Sequence, residues 1–371
     1  MRTHREPLPE ELLTSWFARR IRDPAGRKLP EPKAVRDRAG RWRHPDILPA
    51  RGWLRFASQH FDVPEVQLAS HTVTRRYAAL TPELVAWSCS PADIGNSPWS
   101  RLPKLKICWC SRCLADDFAA GRPAHIRQDW VIAAIGFCHH HRWPLEDRCN
   151  ACGSSVWAFR TPARGALRMV CTACWRPLER SFPPALEASN AIRHCWEAVI
   201  AFEHQIMTAL RGKTPDQFCL NFTSAEQVLR EVRDISGLLI SSDRSDWAPV
   251  NAFPCAAMMP GHRLPEFHST DAPHPLASAR IPLRRSLLAA TCAIVMDAGS
   301  DVALLDPGVA PAIETFLSRV EGAAIDSFIA APGRWSPSLI QRIAETRRAT
   351  RRSASIARLK GCISAIDRAF A

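Results

Sequence analysis

A mainly α protein with a central cysteine-rich module, an N-terminal helical domain and a C-terminal helical domain is the fold class this sequence predicts. Three observations carry it. Apolar residues recur at helical spacing toward both ends, most clearly in residues 8–22 and 186–211. Seven cysteines and one histidine fall between residues 110 and 174 as four pairs: Cys110-x2-Cys113, Cys138-x2-His141, Cys149-x2-Cys152 and Cys171-x2-Cys174. A Pro/Ser/Gly-rich stretch at 90–104 and a change of pattern after Pro184 set the boundaries, giving segments 1–104, 105–182 and 183–371.

The four pairs make the central module a double zinc finger. Two residues between ligands form a knuckle that aims both donors at one ion, and two knuckles complete a tetrahedral site. Eight ligands therefore predict two zinc ions. The sequential division places Cys110, Cys113, Cys138 and His141 on one ion and Cys149, Cys152, Cys171 and Cys174 on the other. An interleaved division, pairing the first knuckle with the third, is the alternative. Cys108 lies two residues before Cys110 and would point the wrong way around the knuckle. Of the three consecutive histidines, only His141 has the three-residue offset from Cys138. Four protein ligands leave no open coordination position, so these sites are expected to build a scaffold, not to perform catalysis.

Taken in order, residues 8–22 form an amphipathic helix with Leu12, Leu13, Trp16, Phe17 and Ile21 on one face and Pro9 at its start. Residues 23–51 carry eight basic against four acidic residues and read as a mobile basic loop. Within it, Arg36, Arg38, Arg41 and Arg43 are candidate DNA contacts. Residues 52–70 give two short helical patterns split at Phe61–Pro64, resembling a helix-turn-helix, although a plain helical hairpin fits equally. Trp53, Leu54 and Ala57 are expected to pack on Val66 and Leu68, and Phe61 stands where a tight turn wants glycine. Residues 125–137 offer Ile126, Trp130, Ile132, Ile135 and Phe137 to a core, with Arg127 and Trp130 as alternative partner contacts. Trp143, Pro144 and Leu145 are expected between the two metal modules. Helical patterns follow at 186–211, 224–240, 283–298, 307–321 and 336–346, with proline-rich breaks at 249–282 and 331–337. The first of these places Ile192, Trp196, Val199, Ile200, Phe202 and Ile206 near helical spacing. Residues 342–360 hold seven basic residues and one acidic; Arg347, Arg348, Arg351 and Arg352 are the candidate phosphate contacts there.

With 371 residues, 46% apolar and 23% charged, the chain is globular and long enough for two or three domains. A net charge of +13 favours a polyanionic partner, duplex DNA first. The excess is carried mostly by arginine, so a GC-rich coding bias is the competing explanation. Seven further cysteines (Cys89, Cys108, Cys195, Cys219, Cys255, Cys292, Cys362) show no pairing pattern and are expected to be small buried hydrophobes in a reducing cytoplasm. The opening MRTHREPLPEELL lacks the apolar core of a signal peptide, and the apolar run 287–296 is too short to span a membrane.

The metal segment reads CSRCLADD, HIRQDWVIAAIGFCHHH, PLEDRCNACGSSV and CTACWRPL, and the N-terminal segment reads PLPEELLTSWFARRI. Together these resemble the TniQ/TnsD family of transposition target-selection proteins. That family shows CP-x-CL followed by acidic residues, an R-x2-W segment, a CP-x-H knuckle, an L-x-D-x-CP-x-CG motif and an opening PLPDE-x-L-x-SWL-x-R. The resemblance covers residues 7–22 and about 105–178. Ser111, His139 and Asn150 stand where the family has prolines, and Cys108 is extra; no ligand is missing. The resemblance implies the sequential ligand sets. It also implies a non-catalytic adaptor that selects target DNA and recruits an AAA+ ATPase regulator, with a transposase or an RNA-guided targeting complex as further partners. A homodimer is compatible with it.

Two other readings compete. A zinc-containing transcription regulator would share the DNA-binding features. A ββα-metal nuclease would use His139 or His140 beside a divalent ion, but the following stretch supplies only Asn150 between structural cysteines. Gly212-Lys213-Thr214 looks like the end of a phosphate loop, yet Met207 stands where the loop's first glycine belongs.

Overall fold

The structure is a computed structural model. It describes residues 6–21, 35–36, 42–49, 51–88, 104–161, 166–180, 190–213, 224–241 and 275–295. These residues are mainly helical, with four two-stranded antiparallel ribbons between the helices. The helices predicted at 307–321 and 336–346 and the arginine-rich tail lie outside the described residues.

Helix α1 (Leu13–Ile21) forms within the predicted 8–22 but starts five residues later, because residues 9–10 make a turn with Glu10 at φ 63°. Leu13, Trp16 and Phe17 are buried against Leu54, Ala57, Phe61, Val63 and Leu68. The Phe61 ring meets Trp16 edge-on at 4.9 Å and Phe17 at 5.5 Å. Most of the basic loop before α2 lies outside the described residues, but two short strands are seen in it. β1 (Val35–Arg36) pairs with β2 (Trp42–Arg43). Asp46 just beyond is fully buried and accepts the Thr14 backbone N–H at 2.8 Å and its hydroxyl at 2.6 Å, close to the first turn of α1. Burial pushes the Asp46 carboxyl up, against the His44 charge and these hydrogen bonds.

Helices α2 (Arg51–Phe61) and α3 (Glu65–Ser70) make the expected hairpin, followed by the short α4 (Val73–Arg76). The tight-turn residue is Asp62, at φ 54°, and Phe61 is in the core. Aspartate tolerates the left-handed region better than most residues, so the turn needs no glycine. The expectation for Val66 fails: it is 78% exposed while Leu68 is fully buried. Two residues apart on a helix is about 200°, so one short helix cannot bury both against the same neighbour.

β3 (Trp87–Ser88) pairs with β4 (Lys104–Leu105). α5 (Ser111–Ala119) follows, then a 3-10 turn at Gln128–Val131 and a further turn at residues 133–134 within the 125–137 segment. Trp130, Ile132, Ile135 and Phe137 are all within 2% of complete burial, so Trp130 is a core residue. β5 (Phe137–Cys138) pairs with β6 (Trp143–Pro144), and β7 (Trp157–Arg160) with β8 (Arg168–Cys171). Trp143 and Leu145 thus belong to the second knuckle's ribbon, with the Arg112 guanidinium 3.7 Å from the Trp143 ring centroid.

Helices α6 (Asn190–Leu210) and α7 (Ala225–Ser241) match their predicted spans. Val199, Ile200, Phe202 and Ile206 are buried. Two further helices, α8 (Pro275–Ser278) and α9 (Ile281–Val295), begin inside the stretch expected to be a break. Gly212, at φ 75°, ends α6, and its N–H bonds to the Ala209 carbonyl at 2.8 Å. Gly212-Lys213 is therefore a helix C-terminus, whereas a phosphate loop needs those residues at a helix N-terminus.

A single apolar cluster contains Leu12 of the N-terminal segment, Cys110, Cys113, Trp130 and Phe137 of the metal module, and Ile206, Val232 and Leu287 of the C-terminal helices. The docking is also polar. Glu203 of α6 accepts the Gly136 N–H at 2.8 Å and the Phe137 N–H at 3.1 Å. Arg285 of α9 donates to the Leu145 carbonyl at 2.6 Å. Burial pushes the Glu203 carboxyl up to about 8, against those two N–H groups and the nearby Arg285.

Candidate metal centres

Three of the four knuckles share one local design. In each, the residue after the second ligand adopts the left-handed region: Arg142 at φ 49°, Gly153 at φ 72° and Trp175 at φ 58°. That residue reverses the chain so that it leaves the knuckle antiparallel to its entry. Gly153 N–H bonds to the Cys149 carbonyl at 2.7 Å, and Trp175 N–H to the Cys171 carbonyl at 2.9 Å. The first knuckle differs because Cys113 lies in the first turn of α5, so the chain continues as helix.

The knuckles combine sequentially. Cys110, Cys113, Cys138 and His141 form one cluster and Cys149, Cys152, Cys171 and Cys174 the other, and the donor atoms of each lie within 4.8 Å of one another. In the first, the sulfurs of Cys113 and Cys138 are 3.5 Å apart. His141 Nδ1 is 3.7, 3.2 and 3.7 Å from the sulfurs of Cys110, Cys113 and Cys138. In the second, Cys149 is 3.6 Å from Cys174 and Cys152 is 3.5 Å from Cys171. A tetrahedral ion with sulfur ligands at about 2.3 Å has ligand–ligand edges of about 3.8 Å. Both clusters are thus suited to a tetrahedral metal ion, and the interleaved arrangement is not the one adopted.

Within each cluster the crowded thiols differ in how readily they ionise, one being lowered while its neighbours are raised. Hydrogen bonds from the Cys110 and Cys113 thiols hold the Cys138 thiol far below its ordinary range, against desolvation. Cys113 is pushed up by its hydrogen bonds with Cys110 and Cys138 and by burial. In the second cluster burial raises the Cys171 thiol, but hydrogen bonds from the backbone N–H groups of Cys174 and Ala173 and from the Cys152 and Cys174 thiols together bring it down to about 7.

The clusters sit in different surroundings. All three cysteines of the first are buried and belong to the main core. In the second, Cys152 is exposed and Cys174 half-buried. Cys108 is buried but turned out of the first cluster, with its thiol 2.7 Å from the Trp130 carbonyl. Cys108 and Cys292 are buried, as expected of unpaired cysteines; the side chains of Cys89, Cys195, Cys219, Cys255 and Cys362 are not among those described. His139 and His140 belong to neither cluster. His140 faces Glu10 at 3.3 Å, and burial lowers the pKa of His139.

The N-terminal segment is pinned to the metal module. Leu12 N–H bonds to the Ile126 carbonyl at 2.9 Å, Gln128 N–H to the Glu10 carbonyl at 2.8 Å, and Ile126 N–H to the Ser15 hydroxyl at 3.0 Å. Glu11 and Arg127 face each other across a β-bridge. Buried Glu11 caps this joint, accepting from Leu8 N–H at 2.8 Å and pairing with Arg19 at 2.7 Å. Arg127 pairs with the buried Asp117 at 3.4 Å, so its charge is compensated internally.

Sequence reasoning missed Asp116. Its Oδ2 lies 2.8 Å from His141 Nε2, the ring nitrogen facing away from the sulfurs. An acceptor there keeps the proton on Nε2 and leaves Nδ1 free as a ligand. The signal was present as the acidic pair after the first knuckle, Asp116–Asp117, but spacing alone does not say which acid reaches the ring. Asp116→Ala is expected to release the first ion to a chelator on the order of 10-fold faster than wild type, with Asp116→Asn between them. Equal release from all three would remove this role.

Of the candidate DNA contacts, Arg36 and Arg43 lie on β1 and β2; Arg38, Arg41, Arg347, Arg348, Arg351 and Arg352 are outside the described residues. Among the described residues no helix is long and apolar enough to cross a membrane. No protein-family model, no curated protein and no solved structure matches the chain.

Proposed function

We propose that this chain is a non-catalytic, zinc-binding adaptor of the TniQ/TnsD kind, acting in DNA transposition. It selects target DNA and recruits an AAA+ ATPase regulator and, through it, a transposase. The observation that carries this reading is the union of the two motif regions of the resemblance. The opening PLPEELLTSW and the R-x2-W segment between the first two knuckles are separated by more than 100 residues, yet they bond to each other backbone to backbone. The two motifs thus act as one structural unit, which a shared fold and function of the two regions would need. The closed ligand sets support a scaffold: zinc would join elements of the chain and supply folding free energy, with no position left for water. The charge of +13 supports a nucleic-acid partner.

In this reading the folded protein neither cuts DNA nor hydrolyses ATP. Magnesium-dependent DNA cleavage that disappears in His139→Ala or His140→Ala would replace the adaptor with a nuclease. The positive test is duplex binding measured against salt. Affinity is expected to fall steeply as salt rises, because each neutralised phosphate releases counterion. Reversing Arg347, Arg348, Arg351 and Arg352 to Glu is expected to weaken binding to all sequences alike. It should also flatten the salt slope by about 0.9 for each phosphate left without its arginine. An unchanged slope would mean that the tail touches no phosphate.

A further inference from the structure

The residue that closes a knuckle points away from it. At Gly153 an added Cβ would meet nothing within 4 Å. The equivalent position of the last knuckle holds Trp175, 61% exposed and at φ 58°. A bulky side chain rarely adopts this backbone region, and glycine would adopt it without strain. The ring therefore occupies a costly place and contributes little packing there. The exposed Arg160 has its guanidinium carbon 5.3 Å from the ring centroid. Arg176, next in sequence, is exposed as well. Residues 149–180 hold five arginines (Arg160, Arg164, Arg168, Arg176, Arg180) and one acid, Glu179, which Arg168 already pairs with.

A solvent-facing aromatic ring, set in strained backbone in a segment whose arginines outnumber its acids, suits a partner that is flat, stackable and anionic. Nucleic acid has this chemistry: base faces stack on aromatic rings while phosphates meet arginines. In a duplex the base faces are already stacked on one another, so the ring needs an unpaired base. We propose that the second metal module binds single-stranded DNA, with the Trp175 ring stacked on an unpaired base and Arg160 and Arg176 on the flanking phosphates. The site uses other residues than the candidate duplex contacts in the basic loop and tail, and the proposal does not depend on them.

The test uses the full-length, metal-loaded protein and a labelled oligothymidylate, with binding followed by fluorescence anisotropy. Trp175→Gly is expected to keep both metal ions and to melt no lower than wild type, because glycine relieves the left-handed backbone. It should bind the oligonucleotide about 10-fold more weakly, while its affinity for duplex DNA is unchanged. Trp175→Phe should retain most of the affinity. Unchanged single-strand affinity in Trp175→Gly would overturn the proposal. So would loss of the second ion in that variant, which would make the ring part of the knuckle's structure. Tighter binding of the same sequence as RNA would overturn the assignment to DNA, and displacement by polyglutamate as effective as by single strands would assign the patch to an acidic protein. Failure of the adaptor reading shows separately, as wild-type protein that binds no duplex.

Discussion

Replacing Cys113 by Ser is expected to abolish binding of the first metal ion and to unfold most of the protein. Cys113 is 1% exposed and packs in the same cluster as Leu12, Trp130, Phe137 and the C-terminal helices. Its sulfur lies 3.2 Å from His141 Nδ1 and 3.5 Å from Cys138, and it hydrogen-bonds with Cys110 as well, so it touches all three fellow ligands. Without the ion, two buried thiols and the half-buried His141 are left crowded together with no cation to hold them. In small zinc modules the metal contributes on the order of 10 kcal/mol to folding, comparable with the whole stability of a domain. The N-terminal joint would go too, since Ile126 and Gln128, which hold Leu12 and Glu10, lie between Cys113 and Cys138. The matched change at the second site, Cys152→Ser, removes an exposed ligand. It should cost the second ion and the β7–β8 ribbon's order while sparing the first ion. Metal content by mass spectrometry and a thermal melt of each variant decide the matter. A Cys113→Ser protein that keeps two ions and melts like wild type would refute it; loss of both ions from Cys152→Ser would refute the independence of the two sites.

Gly136→Ala is expected to be nearly as damaging although it adds one methyl group. A Cβ at Gly136 would lie 2.5 Å from Arg285 Cγ, 3.4 Å from Glu203 Oε1 and 3.5 Å from Arg285 Cα. Arg285 is 1% exposed and its guanidinium is tied to the Leu145 carbonyl, so its Cγ has nowhere to go. Relief requires α9 to move away from the β5–β6 ribbon. That would loosen the Glu203 bonds to Gly136 and Phe137, next to the ligand Cys138. Overpacking of this kind costs about 3 kcal/mol. In an Arg285→Ala background the offending Cγ is gone, so the same Gly136→Ala change should cost much less, and a double-mutant cycle by chemical denaturation measures the difference. Additive costs, or a Gly136→Ala protein as stable as wild type, would mean that α9 is not held against the ribbon at this point.

Trp175→Gly and Cys113→Ser probe opposite properties of the knuckles. One changes a residue that the fold carries at a cost, the other a residue that the fold cannot do without.

The legible part of this protein was local. Ligand pairs with two residues between them specify a knuckle whatever surrounds them, because the turn is short and both donors must converge. The face of α1, the spans of α6 and α7 and the burial of residues 126–137 followed from periodicity and apolar content for the same reason: neighbours along the chain decide them. Val66 marks where that logic stops, since a six-residue helix offers too few turns to show which face is inward. The choice of which knuckles share an ion needed the tertiary structure. So did the docking of PLPEELLTSW onto Ile126–Gln128, the reach of Asp116 to His141, and the clamp of Glu203 and Arg285 on Gly136. Each of these joins residues far apart in sequence or picks one acid from a pair, and identical spacing would fit several partners. The sequence by itself determined two sets of tetrahedral donors and the helices around them. Only packing decided that the first set's cysteines are walled into the core, through buried charges that no periodicity announces, while the second set buries Cys149 and Cys171 but leaves Cys152 at the surface, with an exposed tryptophan next to Cys174.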